Sequence, residues 1–279
     1  VKQLLVVLYA VLCILVGGTP GTARAADDPL FPLITGEDWT ALQDAARQRL
    51  EADPLDGIAL HALGRMAVDG DVGTEQQREA LLPRIRACLA ARPDDAFCRL
   101  AYGQVMGAQL KSLSMLDALG SVSKVTDAFE AAVAADPSSY DARESLVTFY
   151  IRAPGIVGGS MKKAYRQADA YAKINPEYAR LLYALIAIEE DDLPKAEAQL
   201  DKLPEDPADP VLAQMVAKRW LTIGIAYIGA NDFGQAQAAL VHALAHGAPS
   251  VVAKSREALD RLPQAGPVAV NDQVKPGTY

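Results

Sequence analysis

Apolar residues along this chain recur at spacings of three and four, as in "LHALGRMAV" (60–68) and "RLAYGQVMGAQL" (99–110), and no stretch alternates with period two over a convincing length. That spacing puts apolar side chains on one helix face, so the pattern predicts a succession of amphipathic helices. The breaks between helices repeat as well. "EADPLDG", "AARPDDA", "AADPSSY" and "KINPEYA" place prolines at 54, 93, 137 and 176, with gaps of 39, 44 and 39 residues. Proline suits the first turn of a helix, where its missing N–H has no intrahelical partner to lose. Asp53, Asp136 and Asn175 stand just before as N-cap candidates or turn residues.

The clearest unit is "WLTIGIAYIGANDFGQAQAALVHALAHGAP" (220–249). Trp220-x2-Ile223-Gly224-x2-Tyr227 is followed by Ala236-x3-Leu240 and Ala243. Gly224 would let two helices approach closely, and Ala236 would leave room for the partner helix. The second-helix half recurs upstream as Leu81-x3-Ile85-x2-Cys88, Val125-x3-Phe129-x2-Ala132, Ala164-x3-Ala168-x2-Tyr171 and Ala196-x3-Leu200-x2-Leu203. The series resembles the tetratricopeptide repeat, W-x2-L-G-x2-Y…A-x3-F…P, over roughly residues 54–249. The resemblance implies an all-α fold: a right-handed superhelix of antiparallel helix pairs, a TPR-like α-solenoid. Five pairs are expected, with a lone helix before them at about 38–52 and another after at about 249–262. The spacings exceed the family's ~34-residue period. The surplus falls in "DGDVGTEQQ" (69–77), "KSLSMLDALGS" (111–121) and "YIRAPGIVGGSMKKAY" (150–165), read as insertions between the helices of a pair.

The amino end reads as an address. Lys2, the apolar run "LLVVLYAVLCILV" and the Ala23-Arg24-Ala25 site predict a secretory signal peptide over 1–25, and hence a periplasmic or secreted protein. A lipoprotein built on Cys13 is the rival, but Leu12 stands where a small residue is expected. The expected domains are a signal peptide at 1–25, a linker at 26–35, a helical-repeat domain at 36–262 and a flexible C-terminal tail at 263–279. No further span follows the signal, so no membrane-crossing segment is expected after its cleavage. The whole chain carries a net charge of −8, and Lys2 and Arg24 both lie within the signal. The remainder is more acidic still, a poor match for nucleic acid or an anionic membrane surface. Cys88 and Cys98 lie five residues either side of Pro93, where positions across a helical hairpin face each other. Export would let them form a disulfide; the alternative is two small buried apolar residues.

Candidate chemistry is sparse. "APGIVGGS" (153–160), followed by Lys162 and Lys163, has the glycines of a phosphate loop but not the G-x-x-x-x-G-K-[ST] spacing, and no strand precedes it. It reads as a tight helix connection with Ser160 capping the next helix. His242 and His246 share a helix face but lack a third ligand, and "EEDD" (189–192) reads as a solvated turn. No catalytic, metal-binding or cofactor-binding set is assigned.

In the family the first helix of each pair lines the concave face. Carried over by register, this implies Ile58, His61 and Arg65; Phe97, Leu100 and Gln104; Asp141, Glu144, Thr148 and Arg152; Tyr178, Leu181 and Leu185; and Lys218, Leu221 and Ile225. Arg65, Phe97, Tyr150, Arg152, Tyr178, Leu181 and Lys218 are the partner-contact candidates, with the 154–160 loop as an edge. The expected activity is binding of a protein or peptide as an interaction module or scaffold. The alternative is an all-helical envelope enzyme acting on glycan, which would need a carboxyl of raised pKa in a deep cleft.

Overall fold

The computed structural model describes residues 28–110 and 115–263. Every regular element among them is helical, and five helix pairs fall where the punctuation placed them. After α1 (Leu30–Thr35) and α2 (Trp39–Ala52) come the pairs α3 (Gly57–Val68) with α4 (Glu75–Ala91), α5 (Ala96–Gln109) with α6 (Met115–Ala135), and α7 (Tyr140–Arg152) with α8 (Met161–Ala172). Then follow α9 (Pro176–Glu189) with α10 (Leu193–Leu200), α11 (Pro210–Gly229) with α12 (Phe233–Ala245), and a last helix α13 (Pro249–Asp260). The single repeat domain expected over 36–262 divides into two compact units, the first ending at Pro176 and the second beginning at Glu177.

In the first unit each pair opens on the same device. Asp56, Asp95 and Ser139 donate their N–H groups to the carbonyls of Asp53, Arg92 and Asp136, closing β-turns with Pro54, Pro93 and Pro137 at the second position. Asp56, Asp95 and Ser139 then cap the helices that follow, accepting from backbone N–H groups in the first turn. Each such cap is worth ~1 kcal/mol. The prolines at 54, 93 and 137 therefore sit in the turn, three residues ahead of the helix, and Asp53 and Asp136 are turn residues. Their carboxylates accept from Leu55 N and Ser138 N. Pro176, Pro210 and Pro249 do open their helices. The second helix of a pair reaches back to the opening turn: Arg92 Nη1 donates to the Leu55 carbonyl at 2.8 Å, and the Tyr171 hydroxyl donates to that of Ser138 at 3.0 Å.

The second-helix positions Leu81, Ile85 and Cys88, Val125, Phe129 and Ala132, Ala164, Ala168 and Tyr171, and Ala196, Leu200 and Leu203 are all buried. Close approach at the small-residue slot of the first helix is equally direct. A β-carbon on Gly103 would lie 2.5 Å from the Phe129 ring, and one on Gly224 would lie 2.7 Å from Leu240. The surplus at 69–77 forms a short loop before Thr74 and Gln77, which make a reciprocal capping box at the start of α4. That at 111–121 differs from expectation: from Met115 onward it is helix, lengthening α6 to 21 residues.

The linker expected at 26–35 is also corrected. Leu30 and Ile34, one turn apart on α1, are buried, and α1 packs on α2 and α3. Arg49 fixes its start by bonding both carboxylate oxygens of Asp28, at 2.7 and 2.6 Å, and that of Asp56 at 2.8 Å. A six-residue helix is too short to display a helical period in sequence, and Pro29 and Pro32 are tolerated because they fall at or before its first turn. The signal peptide at 1–25 and the tail beyond 263 lie outside the described residues.

In the second unit the connections within pairs are three residues long and alike. Asp191 and Asn231 adopt left-handed conformations (φ 59° and 61°), and Asp192 and Asp232 cap the helices that follow. The last three residues of "EEDD", 190–192, are thus the turn between α9 and α10. Helix α11 is, by length and composition, apolar enough to cross a bilayer. Its buried residues, among them Leu212, Trp220, Ile223 and Tyr227, belong to the core, and it packs on α12 and α13.

Candidate functional site

In the first unit the first helices of successive pairs pack side by side, α3 on α5 and α5 on α7. An open cleft of about 430 Å³ lies over them. Its floor is thin because α5 contributes Gly103, Gly107 and Ala108 there, while Val125 and Phe129 of α6 form an apolar wall. Polar groups enter from α3 and α7: Arg65 on one side, and Glu144, Ser145, Thr148 and Arg152 on the other. Arg65 makes no ion pair with a described residue. Glu144 accepts from the Tyr140 hydroxyl at 3.0 Å.

The rim is the "APGIVGGS" segment. Gly155–Val157 form one 3₁₀ turn after Pro154, and Gly158 follows at φ 101°, a conformation that favours glycine. Gly159 N–H donates to the Pro154 carbonyl and Ser160 N–H to that of Tyr150, at 3.2 and 2.7 Å, and the Ser160 side chain caps α8. This bonded loop puts Pro154 and Val157 on the cleft and holds Ile156 87% exposed beside it.

Behind the cleft lies a buried polar bridge. His61 is fully buried on α3. Its Nδ1 lies 3.1 Å from Gln104 Oε1 and its Nε2 lies 3.0 Å from Asp141 Oδ2, so the ring ties three first helices together. Gln104 Nε2 in turn donates to Ser145 Oγ at 3.3 Å. Phe31 and Phe97 pack around the imidazole, with ring centroids 6.2 and 5.7 Å from it.

Of the seven partner-contact candidates, Arg65 and Arg152 reach this cleft. Tyr150 is a correction: it is buried, its hydroxyl donates to Glu130 Oε1 at 2.5 Å, and Lys163 Nζ lies over its ring. Burial, and then the Glu130 carboxylate, push that hydroxyl well above the ordinary phenol range. Phe97 lies outside the lining of the cleft: it is half-buried and packs on Phe31 and His61. In the second unit Leu181 is fully buried in the core, and Tyr178 is buried with its hydroxyl on Asp209 at 2.7 Å. Lys218 is half-buried on α11. Of the wider register set, Leu100, Leu185 and Leu221 are core and Ile225 is 53% exposed. Sequence reasoning missed Ser145, Gly107 and the wall residues as cleft components. The one available signal was the Gly103-x3-Gly107 spacing, which thins a single stripe of α5.

The second unit has its own smaller cleft, of about 250 Å³, in which His242 stacks on Trp220 with centroids 4.5 Å apart. His246 also lines it, from just past the end of α12, 3.9 Å from Asp206. No group of three or more metal-ligating side chains occurs among the described residues. The Glu197 carboxyl is held above its ordinary range, raised by burial against the opposing bond from Tyr227. It lies outside the lining of either cleft.

Cys88 and Cys98 form a disulfide between α4 and α5, with alpha carbons 6.0 Å apart.

No family model and no curated protein matches the chain. Among solved structures it is similar to TTC0263, a thermophilic TPR protein from Thermus thermophilus, at 18% identity and a TM-score of 0.48, covering 77% of this chain and 98% of that one. It is similar also to YrrB, described as a TPR protein with an unusual peptide-binding site, at 15% identity, TM-score 0.35 and coverage of 77% and 99%. A tetratricopeptide repeat protein from Parabacteroides merdae ATCC 43184 matches at 12% identity, TM-score 0.37 and coverage of 83% and 94%.

Proposed function

We propose that the protein is an exported, periplasmic or secreted, interaction module that holds a protein or peptide partner in the cleft of its first unit. The observation that carries this reading is the convergence of Arg65, Glu144, Thr148 and Arg152 on one open apolar cleft of about 430 Å³. That volume suits a few residues of a bound chain. Arginine is also enriched among residues that dominate binding energies. The rim adds Ile156, an exposed aliphatic side chain on a loop whose backbone bonds fix it in place. A partner would cover Ile156 while its polar groups meet the two guanidinium groups.

Photo-crosslinking in the native cell tests this. A photoreactive residue at Thr148 should yield a discrete adduct that is lost when Arg65 and Arg152 are replaced by alanine. The same residue at exposed Glu79 on α4 should yield none. Adducts of equal strength from both positions, or adducts indifferent to the arginines, would remove the cleft from consideration. Export has its own test: cell fractionation and the amino-terminal sequence of the mature chain, expected to begin at Ala26.

A further inference from the structure

The bridge through His61 ends on the cleft. Both imidazole nitrogens face oxygen acceptors, Oε1 of Gln104 and Oδ2 of Asp141. A ring that is protonated at both nitrogens satisfies both; a neutral ring has one N–H and would set a bare lone pair against an oxygen. In the arrangement observed, Gln104 therefore accepts from Nδ1–H and donates through its own Nε2 to Ser145 Oγ. The Ser145 hydroxyl makes no donated bond to a described residue, and Ser145 lines the cleft. Its proton is available to whatever occupies that space.

A second arrangement fits the same heavy-atom positions. When Nδ1 gives its proton to solvent, Nε2 keeps the other, because the Asp141 carboxylate only accepts. A half-turn of the Gln104 amide then brings its NH2 to Nδ1 and its oxygen to Ser145. The serine hydroxyl now donates to that oxygen and offers lone pairs alone to the cleft. Both ring nitrogens and both ends of the Gln104 amide are bonded in either arrangement, so neither leaves one of these buried groups unmade.

We propose that protonation of His61 sets, through Gln104, whether Ser145 presents a hydrogen-bond donor or only acceptors to the cleft. The protonated state selects a carbonyl or carboxylate oxygen of the partner at that point, and the neutral state selects an N–H. Asp141 is the acidic side chain in contact with the ring. On the other elements packed around α3, α1 carries no ionisable side chain and Arg49 of α2 is held by Asp28 and Asp56. Arg78 of α4 donates to the Ala67 carbonyl, and Arg99 of α5 faces Asp94. Glu144 of α7 is bonded to Tyr140, and Arg65 stands one turn along α3 itself. Histidine is the side chain that ordinarily changes charge between about pH 5 and about pH 8. His61 acts here as a positioning residue, since it is buried and out of a ligand's reach.

The consequence for binding rests on the cleft being the partner surface; the switch itself is read without a partner, so the two can fail separately. The experiment is nuclear magnetic resonance of the isotopically labelled full chain from about pH 5 to about pH 8. It follows the imidazole nitrogens of His61, the side-chain amide of Gln104 and the β-carbon of Ser145. The expected result is a large downfield shift of Nδ1 alone as pH rises, with Gln104 and Ser145 moving at the same midpoint. In Gln104→Glu the new carboxylate cannot donate to Nδ1, so both nitrogens should stay protonated to higher pH. A ring fixed in one protonation state throughout would overturn the proposal. So would a ring that titrates while Gln104 and Ser145 stay still, or a Gln104→Glu midpoint that does not rise.

Discussion

The ring of Phe129 occupies the space where a β-carbon on Gly103 would stand, with its Cε1 2.5 Å from that position. Leu240 stands in the same relation to Gly224, whereas Gly64, at the equivalent slot of the first pair, has Val105 no nearer than an ordinary contact of 3.6 Å. Three glycines at one repeat position thus face different local packing. Gly103→Ala and Gly224→Ala should each destabilise by ~1–3 kcal/mol through overpacking. Gly64→Ala should be neutral or stabilising by up to ~1 kcal/mol, since alanine is the better helix former and nothing blocks it. Urea denaturation of the three variants checks this, and equal losses at all three positions would show that the slot acts through something other than close approach.

Cys88 and Cys98 are ten residues apart in sequence and bridged, so the bond closes a short loop across the turn at Pro93. Mass spectrometry of the unreduced protein should show two hydrogens fewer than the dithiol. Replacing both cysteines with serine should cost ~2–3 kcal/mol, in keeping with a short loop. Two free thiols in protein isolated from an oxidising compartment would contradict this.

Tyr150 separates stability from binding. Tyr150→Phe removes the bond to Glu130 and leaves the ring, so it should cost ~1 kcal/mol and leave partner capture unchanged. Tyr150→Ala opens a cavity in the core of the first unit and should cost ~3–5 kcal/mol, a figure taken from phenylalanine and tryptophan truncations. Thermal melts beside a binding assay distinguish the two. A loss of affinity in the folded phenylalanine variant would return the hydroxyl to the partner surface.

Glu197 gives the second unit an acid-side preference. Burial raises its carboxyl, Asp201 and Asp232 act in the same direction, and the Tyr227 bond and His242 oppose them. Because the folded value lies above the unfolded one, its contribution is complete below the ordinary carboxylate range and is lost as pH rises through the folded value. Tyr227, pushed up to about 12 by burial and then by Glu197, stays protonated throughout that window. Glu197→Gln keeps an acceptor for the hydroxyl and removes the charge. Its denaturation midpoint should exceed the parent's at neutral pH, and the difference should shrink toward about pH 4. A variant less stable than the parent at neutral pH would reverse the sign of the account.

The helices were legible because their signals are local. The i, i+3 and i+4 spacing of Leu81, Ile85 and Cys88, and of its counterparts, marks positions that are buried in every pair. The caps lie three residues beyond Asp53 and Asp136: proline at 54, 93 and 137 belongs to a β-turn that the cap closes, so of the two roles open to those aspartates it is the turn role that holds. The site was legible only in part, because side-chain type does not report exposure. Tyr150 and Leu181 lie on first helices like Arg65 and Arg152, yet face the core. The contact between His61 and Asp141 spans 80 residues and leaves no trace in local spacing. The boundary at Pro176 falls inside an unbroken series of breaks and has no compositional mark of its own.

The central claim is that the cleft flanked by Arg65 and Arg152 is where a partner binds. Peptides selected from a displayed random library on the intact chain provide a ligand of known sequence, and titration calorimetry then compares the parent with Arg65→Ala/Arg152→Ala. The account predicts a loss of about tenfold or more in affinity, ~1.4 kcal/mol, with the thermal midpoint unchanged. Affinity retained in the folded double variant would contradict it.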